Sequence, residues 1–172
     1  MSKLIFIGMP GAGKTTIGEA VSKEKEWRFI DTDKYIESRE GSSISNIFKE
    51  KGELYFRDLE KNILKDFEDK SNMVISTGGG LPIYNNNMEK LNSLGLTIFL
   101  DTPIDELVER IKKDNKRPLI SQNHIKVELE TLLKDRTQIY KKATIIIDCE
   151  SKNKYDIINE VINKIKLFEI NL

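Results

Sequence analysis

The chain has 172 residues, and its 28 Lys and Arg residues balance its 28 Asp and Glu residues, so the formal net charge is zero. This length predicts a single domain with one core, and a hydrophobic share of 38% is too high for a disordered chain. The charge balance argues against a protein whose main function is to bind a nucleic-acid backbone, because that function requires a basic surface.

Cysteine content and hydropathy exclude two further classes of protein. Cys149 is the only cysteine, so intramolecular disulfides and zinc sites with several cysteines are excluded. It follows the apolar residues 145–147 and Asp148, and we interpret it as a small side chain at a strand end rather than as a reactive thiol. No segment contains the ~18 apolar residues that a membrane-spanning helix requires. The chain is therefore expected to be cytoplasmic and to bind no membrane.

Short β-rich segments alternate with longer segments of helical periodicity. The predicted strands lie at 3–8, 26–31, 73–77, 96–100 and 144–148, and the predicted helices at 14–25, 53–70, 86–93, 104–113, 125–142 and 154–168. In the last helix, Tyr155, Ile158, Ile162 and Ile165 share one stripe and are assigned to the core. The alternation predicts a mostly parallel sheet covered by helices on both sides. Ligands of such sheets bind beyond the carboxyl ends of the strands.

Two segments interrupt this alternation. Residues 33–61 insert additional helical sequence between the second and third strands. Residues 112–124 are polar and basic, and Pro118 breaks any helical continuation. Long polar segments in compact domains are usually functional lids or disordered links.

Directly after the first predicted strand lies the segment GMPGAGKTT at 8–16, which matches the phosphate-binding pattern G-x-x-x-x-G-K-[ST]. In such a P-loop, glycines allow several backbone N–H groups to point at phosphate oxygens, and the next helix adds its positive N-terminal partial charge. Lys14 is expected to reach the outer phosphates, and the Thr15 hydroxyl is expected to ligate Mg²⁺. The sequence therefore predicts a nucleotide site here.

The second predicted strand leads into two carboxylates, Asp31 and Asp33. A magnesium nucleotide requires a carboxylate near the Thr15 hydroxyl, usually acting through water, and Asp31 at the end of the strand suits this role. Asp33 is placed to accept a hydrogen bond from a substrate hydroxyl. The alternative is that Thr32 or Asp33 caps a helix that begins there. The P-loop upstream favours functional roles for both carboxylates.

The third predicted strand leads into three consecutive glycines, Gly78, Gly79 and Gly80. Consecutive glycines cost backbone entropy and indicate a close approach of the main chain to a ligand. A flexible turn is the alternative. Their position after a strand of the predicted sheet favours the functional interpretation.

Arg57 lies in a predicted helix and permits two interpretations. Its planar fork suits a carboxylate or a phosphate. Taken alone, however, it is better explained as a surface partner of Glu53 or Glu60, which lie four residues before it and three residues after it.

Three further basic side chains are candidates of unequal weight. Arg117 lies in the polar segment 112–124, where a basic residue near phosphate chemistry can neutralise the charge of a transferring phosphoryl group. Arg136 carries no independent signal. His124 is the only histidine and is interpreted as a solvated side chain.

Taken together, these motifs resemble the shikimate kinase family, within the nucleoside-monophosphate-kinase-like group of P-loop proteins. The resemblance covers nearly the whole chain in the order of the family. Besides the P-loop, it rests on DTDKYI at 31–36, GSSI at 41–44 with Ile47 and Phe48, GE at 52–53 with FR at 56–57 and Glu60, GGG at 78–80, and RPL at 117–119. This series is far more specific than the P-loop alone, which indicates only a nucleotide.

The resemblance implies a P-loop kinase fold, which is a three-layer α/β/α architecture with five parallel strands in the order 2-3-1-4-5. One domain would cover residues 1–172. Residues 33–61 would form the shikimate-binding subdomain, and residues 112–124 would form the lid over ATP.

The same resemblance implies three sets of site residues. The ATP site would contain Gly11, Ala12, Gly13, Lys14, Thr15, Thr16, Arg110 and Arg117. Shikimate would be bound by Asp33, Arg57, Gly79, Gly80 and Arg136, and Mg²⁺ by Thr15 and, through water, by Asp31. Lys14, Asp33 and Arg117 would be the catalytic residues.

The chain departs from the family pattern in the segment that follows Arg136. Gln138 and Ile139 stand where family members often carry a Pro-Leu pair, although Arg136 and Tyr140 on either side fit the pattern. The adenine-flanking residue of the family falls near residues 151–153.

The implied activity is transfer of the γ-phosphoryl group of ATP to the 3-hydroxyl of shikimate, a step toward chorismate and the aromatic amino acids. Two alternatives are another small-molecule kinase of this group, acting on gluconate or a nucleoside monophosphate, and a nucleotide-binding module without catalysis. The glycine triplet and Arg57 argue against the first, and the acceptor-side carboxylate of Asp33 argues against the second. The protein is expected to be a monomer, with Lys14 and Asp33 outside its core.

Overall fold

The computed structural model describes residues 2–69, 71–113 and 124–170. In these ranges the strands are β1 (Lys3–Ile7), β2 (Arg28–Asp31), β3 (Met73–Ser76), β4 (Leu96–Asp101) and β5 (Ile145–Asp148). The helices are α1 (Lys14–Lys25), α2 (Thr32–Glu40), α3 (Ile44–Ile63), α4 (Asn87–Leu94), α5 (Ile104–Lys113), α6 (Ile125–Tyr140) and α7 (Lys154–Ile170). The strands form one parallel sheet in the order β2-β3-β1-β4-β5, with helices on both sides. The predicted fold class is confirmed.

Burial differs between the central and the edge strands of the sheet. β1, β3 and β4 are buried along nearly their whole length, as expected of parallel strands that are covered on both faces. At one edge, β5 buries Ile145 and Ile147 and exposes Ile146. Lys164 of α7 donates to the carbonyl of Ile146 over 2.7 Å. This contact occupies one acceptor of an open strand edge, which disfavours pairing with another chain.

The carboxyl ends of the strands meet at one edge of the sheet, and this edge holds the predicted site. Ser76 of β3 pairs with Phe6 of β1 and with Asp31 of β2, so these three strands end at the same level. The segments that follow them contain the P-loop, Asp33 in the first turn of α2, and the glycine triplet. The topology therefore brings together three motifs that are far apart in the sequence.

Residues 33–61, predicted as additional helical sequence, form most of α2 and α3. Asp31 caps α2, since its Oδ1 accepts from the backbone N–H groups of Asp33 (3.1 Å) and Lys34 (3.3 Å). The alternative that Thr32 or Asp33 caps this helix is therefore wrong. The helix begins at Thr32, directly after the strand, so only the last strand residue is in position to cap it.

α3 differs from its prediction at both ends. It begins after Ser43, whose Oγ accepts from the backbone N–H of Asn46 over 3.3 Å. Gly52 interrupts the helical backbone with φ 80° and ψ 171°, so the helix predicted from residue 53 is the part of α3 that follows this break. A 3₁₀ turn at Leu64–Phe67 replaces the helix predicted beyond residue 63, and this tighter turn buries Leu64 and Phe67.

The buried face of α7 differs from the predicted stripe. Its buried side chains are Ile157, Val161, Ile162 and Ile165, whereas Tyr155 is 76% exposed. The assignment of Tyr155 to the core is therefore wrong. Tyr155 and Ile157 are two positions apart, which corresponds to about 200° of helical rotation and turns the tyrosine away from the core.

Cys149 has the structural role that the sequence indicates. Its side chain is fully buried, and burial raises the pKa of the thiol to about 11, so the reactive thiolate is suppressed.

Among the described residues, no helix combines the length and the apolar character that a bilayer crossing requires.

Candidate active site

The P-loop lies between β1 and α1, and its path depends on glycine. Gly11 has a φ of 83° and Gly13 a φ of 93°, a region that glycine adopts without strain. A Cβ at Gly11 would also approach Ile111 Cγ1 to 3.1 Å. Gly13 is the N-cap of α1 and offers no side chain to cap it. The first N–H groups of α1 are thus available to an anion.

Lys14 is the first residue of α1 and is held against the P-loop. Its side chain is only 8% exposed, and its Nζ donates to the carbonyls of Gly8 (3.0 Å) and Met9 (2.9 Å). The expectation that Lys14 lies outside the core is therefore wrong. Its stem is buried because the loop curls around the ammonium group. The side chain that is expected to reach the phosphates is therefore also a buried one.

A hydroxyl and a carboxylate meet beside the P-loop. Thr15 donates to Asp31 Oδ2 over 2.8 Å and lies 3.4 Å from Ser76 Oγ. Such oxygen donors suit Mg²⁺, which usually takes its remaining ligands from phosphates and water. Within residues 2–69, 71–113 and 124–170, no three His, Cys, Asp or Glu side chains cluster to hold a metal by themselves. The pair therefore fits a metal that arrives with a nucleotide.

Asp33 lies against the first glycine of the triplet. A Cβ added to Gly78 would collide with the Asp33 carboxylate. The backbone N–H of Gly78 donates to the buried Thr32 hydroxyl over 2.8 Å, which joins the start of α2 to the glycine loop. Only glycine at this position leaves room for the carboxylate of Asp33.

The second and third glycines each lie against an arginine. A Cβ on Gly79 would approach Arg136 Nη1 to 3.3 Å, and a Cβ on Gly80 would collide with the Arg57 guanidinium. Tyr140, four residues after Arg136 on α6, donates its hydroxyl to the carbonyl of Gly79 over 2.6 Å. Three successive positions of the triplet thus contact one carboxylate and two guanidinium groups.

Arg57 forms ion pairs along its helix and also faces the glycine triplet. Its Nε and Nη2 donate to Glu53 Oε1 over 3.2 Å and 2.9 Å, and its Nη1 donates to Glu60 Oε2 over 2.7 Å. The Arg57 side chain is 13% exposed and that of Glu60 is 2% exposed. Helix pairing and a place in the site are therefore compatible, because the paired guanidinium is buried beside Gly80.

The pKa values of both partners of this pair are raised, which disfavours the charged form of Glu60 and favours the charged form of Arg57. Burial raises the pKa of Glu60 to about 7, and the charge of Arg57 offsets this only in part. Burial also opposes the charge of Arg57, but Glu60 and Glu53 outweigh it, so the pKa of Arg57 lies above its ordinary value. The pKa of Glu60 is raised because its side chain is almost completely buried, while Glu53 helps to keep Arg57 charged. Near neutral pH, Glu60 therefore exchanges a proton beside a permanent cation.

Glu60→Gln should change how stability depends on pH. The folded protein holds the Glu60 proton up to about pH 7, whereas the unfolded chain loses it near pH 4.5, so the free energy of unfolding of the wild type falls as pH rises through this window. Gln removes this fall, which amounts to roughly 3 kcal/mol. Urea unfolding between pH 4 and pH 8 measures the difference. Glu50→Gln, on the exposed side of α3, is the control, and parallel curves for the wild type and Glu60→Gln would contradict the assignment.

Arg110 of α5 lies beside the P-loop. Its Nη2 pairs with Glu106 Oε2 over 2.6 Å, and its Nη1 donates to the carbonyl of Ala12 over 3.4 Å. Glu106 Oε1 also accepts from the backbone N–H of Ser151 over 3.4 Å. The carboxylate of Glu106 therefore contacts both Arg110 and the loop after β5, where the adenine-flanking residue is expected.

The predicted site residues fall into two groups at one sheet edge. Lys14, Thr15 and Asp31 lie at the P-loop, and Asp33, Arg57 and Arg136 surround the glycine triplet. Arg117 lies outside the described residues, as do positions 114–123 of the predicted lid.

Sequence reasoning missed two members of the second group. Apart from its place in the family motif, Glu60 is interpreted from the sequence as a surface partner of Arg57, although it lies four residues after Phe56 and three before Ile63, both of which are buried. That spacing was a usable signal for a buried carboxylate. Tyr84, whose ring centroid lies 4.0 Å from Arg57 Cζ, follows the glycines in a polar turn and carried no signal of its own.

Comparison with known proteins identifies the family. The family model described as shikimate kinase matches residues 10–166. The chain belongs to the shikimate kinase family. A shikimate kinase of Persephonella marina is 42% identical over 166 residues, covering 96% of this chain and 100% of the relative. One from Clostridium botulinum is 45% identical over 163 residues, covering 94% of this chain and 95% of the relative.

Solved structures of shikimate kinases share the fold of this chain closely. The enzyme from Acinetobacter baumannii, solved in complex with shikimate, has a TM-score of 0.89 and 30% identity, covering 96% of this chain and 93% of that one. The enzyme from Aquifex aeolicus has a TM-score of 0.83 and 37% identity, covering 95% and 96%. A gluconokinase from Sinorhizobium meliloti, at a TM-score of 0.65 and 15% identity over 99% and 94% of the two chains, shares the fold alone.

Proposed function

We propose that the chain transfers the γ-phosphoryl group of ATP to the 3-hydroxyl of shikimate, giving shikimate 3-phosphate and ADP. One observation carries this proposal: beside the P-loop, three successive glycines face Asp33, Arg136 and Arg57. The P-loop supports binding of a nucleotide, and this cluster supports an acceptor with a hydroxyl and a carboxylate. Membership of the shikimate kinase family supports shikimate as that acceptor. The reaction would serve the route to chorismate and the aromatic amino acids.

The acceptor site is proposed to lie around the glycine triplet. Arg57 and Arg136 would bind the carboxylate, since planar guanidinium forks match a carboxylate. Gly79 and Gly80 would allow the main chain to approach the ring. Asp33 would accept a hydrogen bond from the hydroxyl that attacks.

The donor site is proposed to lie at the P-loop and α5. The nucleotide would be bound by Gly11, Ala12, Gly13, Lys14, Thr15, Thr16 and Arg110. Backbone N–H groups would bind the inner phosphates, and Lys14 would exchange its contacts with Gly8 and Met9 for phosphate oxygens. Thr15 and, through water, Asp31 would hold Mg²⁺, which when bound neutralises charge on the phosphates.

Phosphoryl transfer depends on positioning and on charge neutralisation rather than on covalent catalysis. The 3-hydroxyl oxygen would form a bond to the γ-phosphorus while the bond from that phosphorus to the leaving oxygen of ADP breaks. The hydroxyl proton would pass to Asp33 or be oriented by it. Lys14 would stabilise charge on the γ-phosphoryl oxygens, and Arg117 would join it from the lid.

The chain is proposed to form one kinase domain over residues 1–172. Residues 33–61, which form most of α2 and α3, would be the shikimate-binding subdomain. Residues 112–124 would be the lid, whose closure would exclude water as a competing acceptor. The monomeric state, the cytoplasmic location and the absence of nucleic-acid partners stay predictions from the sequence.

A screen of acceptors tests this function. ADP release from ATP should depend on shikimate and on Mg²⁺, and kcat/KM for shikimate should exceed that for gluconate or a nucleoside monophosphate by about 10³-fold, because the site's polar groups would be left unpaired by a poorly matched acceptor. A coupled ADP assay, with EDTA as the metal control, measures both. Equal turnover with gluconate or a nucleoside monophosphate would overturn the acceptor assignment. Nucleotide binding without turnover of any acceptor would favour a non-catalytic module.

A further inference from the structure

The guanidinium of Arg57 lies over the ring of Tyr84. Arg57 Cζ lies 4.0 Å from the ring centroid, which is well within the ~6 Å range of a cation–π contact. Two other rings lie farther from the same atom, Phe56 at 5.4 Å and Phe48 at 5.9 Å. Tyr84 is 37% exposed, so its ring also borders the solvent. The closest aromatic contact of Arg57 therefore comes from outside its own helix.

The turn that carries Tyr84 is attached to the same arginine at a second point. Asn85 Nδ2 donates to the main-chain carbonyl of Arg57 over 3.3 Å. The turn itself is closed by hydrogen bonds from Ile83 N–H to the Gly80 carbonyl (2.9 Å) and from Asn87 N–H to the Tyr84 carbonyl (3.0 Å). Adjacent residues thus contact the side chain and the backbone of Arg57, so the ring has a fixed position relative to the guanidinium.

In the part of the chain that the structure describes, the hydrogen bonds of the Arg57 guanidinium go to Glu53 and Glu60 and none goes to Tyr84, so the aromatic contact leaves the other donors available. Among the described residues, Glu53 and Glu60 accept one hydrogen from Nε, one from Nη2 and one from Nη1. One N–H group then remains on each terminal nitrogen of the five that arginine carries. A carboxylate bound by a fork needs two such coplanar groups. Cation–π contact restricts the plane of the guanidinium and consumes neither of them.

We propose that Tyr84 is a positioning residue that sets the plane in which Arg57 presents these two N–H groups to the carboxylate of the acceptor. The identity of the acceptor rests on the proposed function, whereas the contact between Tyr84 and Arg57 does not. Tyr84 therefore acts on acceptor affinity and leaves phosphoryl transfer unchanged, because the contacts of Lys14 with the P-loop involve neither side chain.

Three variants separate the ring from the hydroxyl and from general effects. Tyr84→Leu keeps apolar bulk and removes the aromatic face, and Tyr84→Phe keeps the face and removes the hydroxyl, which helps Arg57 to lower the pKa of Glu53. Tyr155→Leu, at an exposed tyrosine of α7, is the matched control. Tyr84→Leu should raise KM for shikimate three- to tenfold, with kcat and KM for ATP within twofold of the wild type. Tyr84→Phe and Tyr155→Leu should stay within twofold in all three parameters.

Three kinetic outcomes would overturn the proposal. An unchanged KM for shikimate in Tyr84→Leu would show that the ring does not position Arg57. Equal rises in KM for shikimate and for ATP would indicate a general structural effect. A loss in Tyr84→Phe as large as that in Tyr84→Leu would assign the effect to the hydroxyl.

A readout without substrate separates this proposal from the proposed function. The Arg57 Nε–H resonance of ¹⁵N-labelled protein, assigned by its absence in Arg57→Lys, should shift or broaden in Tyr84→Leu and remain in place in Tyr84→Phe and Tyr155→Leu. An unchanged resonance in Tyr84→Leu would overturn the positioning role. If wild-type protein does not phosphorylate shikimate, the function fails, and this spectrum still decides the role of Tyr84.

Discussion

Replacing Asp33 by Asn should lower kcat for shikimate phosphorylation by about 10²- to 10⁴-fold, the range of a positioned general base. Asn has the size of Asp but cannot take a proton, and its amide nitrogen would present donors to a substrate hydroxyl that itself needs an acceptor. Asp33 lies against Gly78, at the edge of the sheet where β1, β2 and β3 end together. KM for ATP should change little, since the P-loop contacts are made by other residues.

Two further variants show whether the position of the carboxylate matters as well as its presence. Gly78→Ala should also lower kcat, by at least about tenfold, because the added methyl group would displace the carboxylate of Asp33 from its place. Asp58→Asn, at an exposed carboxylate of α3, is the control for loss of one negative charge. Steady-state rates and thermal melts of all three variants make the comparison. A near-wild-type kcat in Asp33→Asn would reject its role at the reacting hydroxyl.

The parallel sheet and the position of the site could be predicted because both follow from local patterns and one topological rule, whereas the strand order came from the family resemblance. Short apolar runs between helical segments predict a parallel sheet, and the carboxyl ends of its strands share one edge. The motifs after β1, β2 and β3 were therefore expected together, and Asp33 does lie beside Gly78. The residue types there also indicated the chemistry, since glycines, a lysine and two carboxylates suit a magnesium nucleotide.

The partners of the arginines could not be predicted from local patterns. Arg57 and Arg136 come from α3 and α6, and their meeting at Gly80 and Gly79 depends on how two helices cross the end of the sheet. The burial of Glu60 depends on the same packing, which decides between a surface ion pair and a carboxyl group that holds its proton near neutral pH. These are long-range properties, so the sequence could nominate Arg57, but taken alone its local pattern favoured the surface pair over a place in the site.

The predictions for the cap of α2 and for the exposure of Lys14 were wrong for a related reason. Asp31 caps α2 because the strand passes into the helix without a connecting residue, which no propensity of Thr32 or Asp33 reveals. Lys14 is buried because the carbonyls of the P-loop turn toward its ammonium group. Both errors concern polar side chains that bond to nearby backbone, where competing local bonds are close in energy.

Replacing Lys14 by Met should lower kcat/KM for phosphoryl transfer by about 10³-fold or more, which is the scale of losing one cation or donor aimed at transition-state charge. Met retains the length and the apolar stem, so the packing of the buried side chain is largely preserved. The variant loses the two charge-assisted hydrogen bonds to the carbonyls of Gly8 and Met9, each worth roughly 1.5–3 kcal/mol, but it also loses the cost of burying the ammonium charge, so the net loss is about 2 kcal/mol. We therefore expect a melting temperature that is lower by about 4–8 °C.

The size of these two effects separates a catalytic role from a structural one. A protein whose melting temperature falls by several degrees is still folded at 25 °C, so a loss of roughly 10³-fold in kcat/KM at that temperature cannot come from unfolding. Lys23→Met, on the exposed side of the same helix, is the matched control and should leave both quantities unchanged. Rates at 25 °C and melting curves of the three proteins give the answer. A near-wild-type rate in Lys14→Met, with the melting temperature lowered, would mean that this lysine serves only to hold the P-loop together.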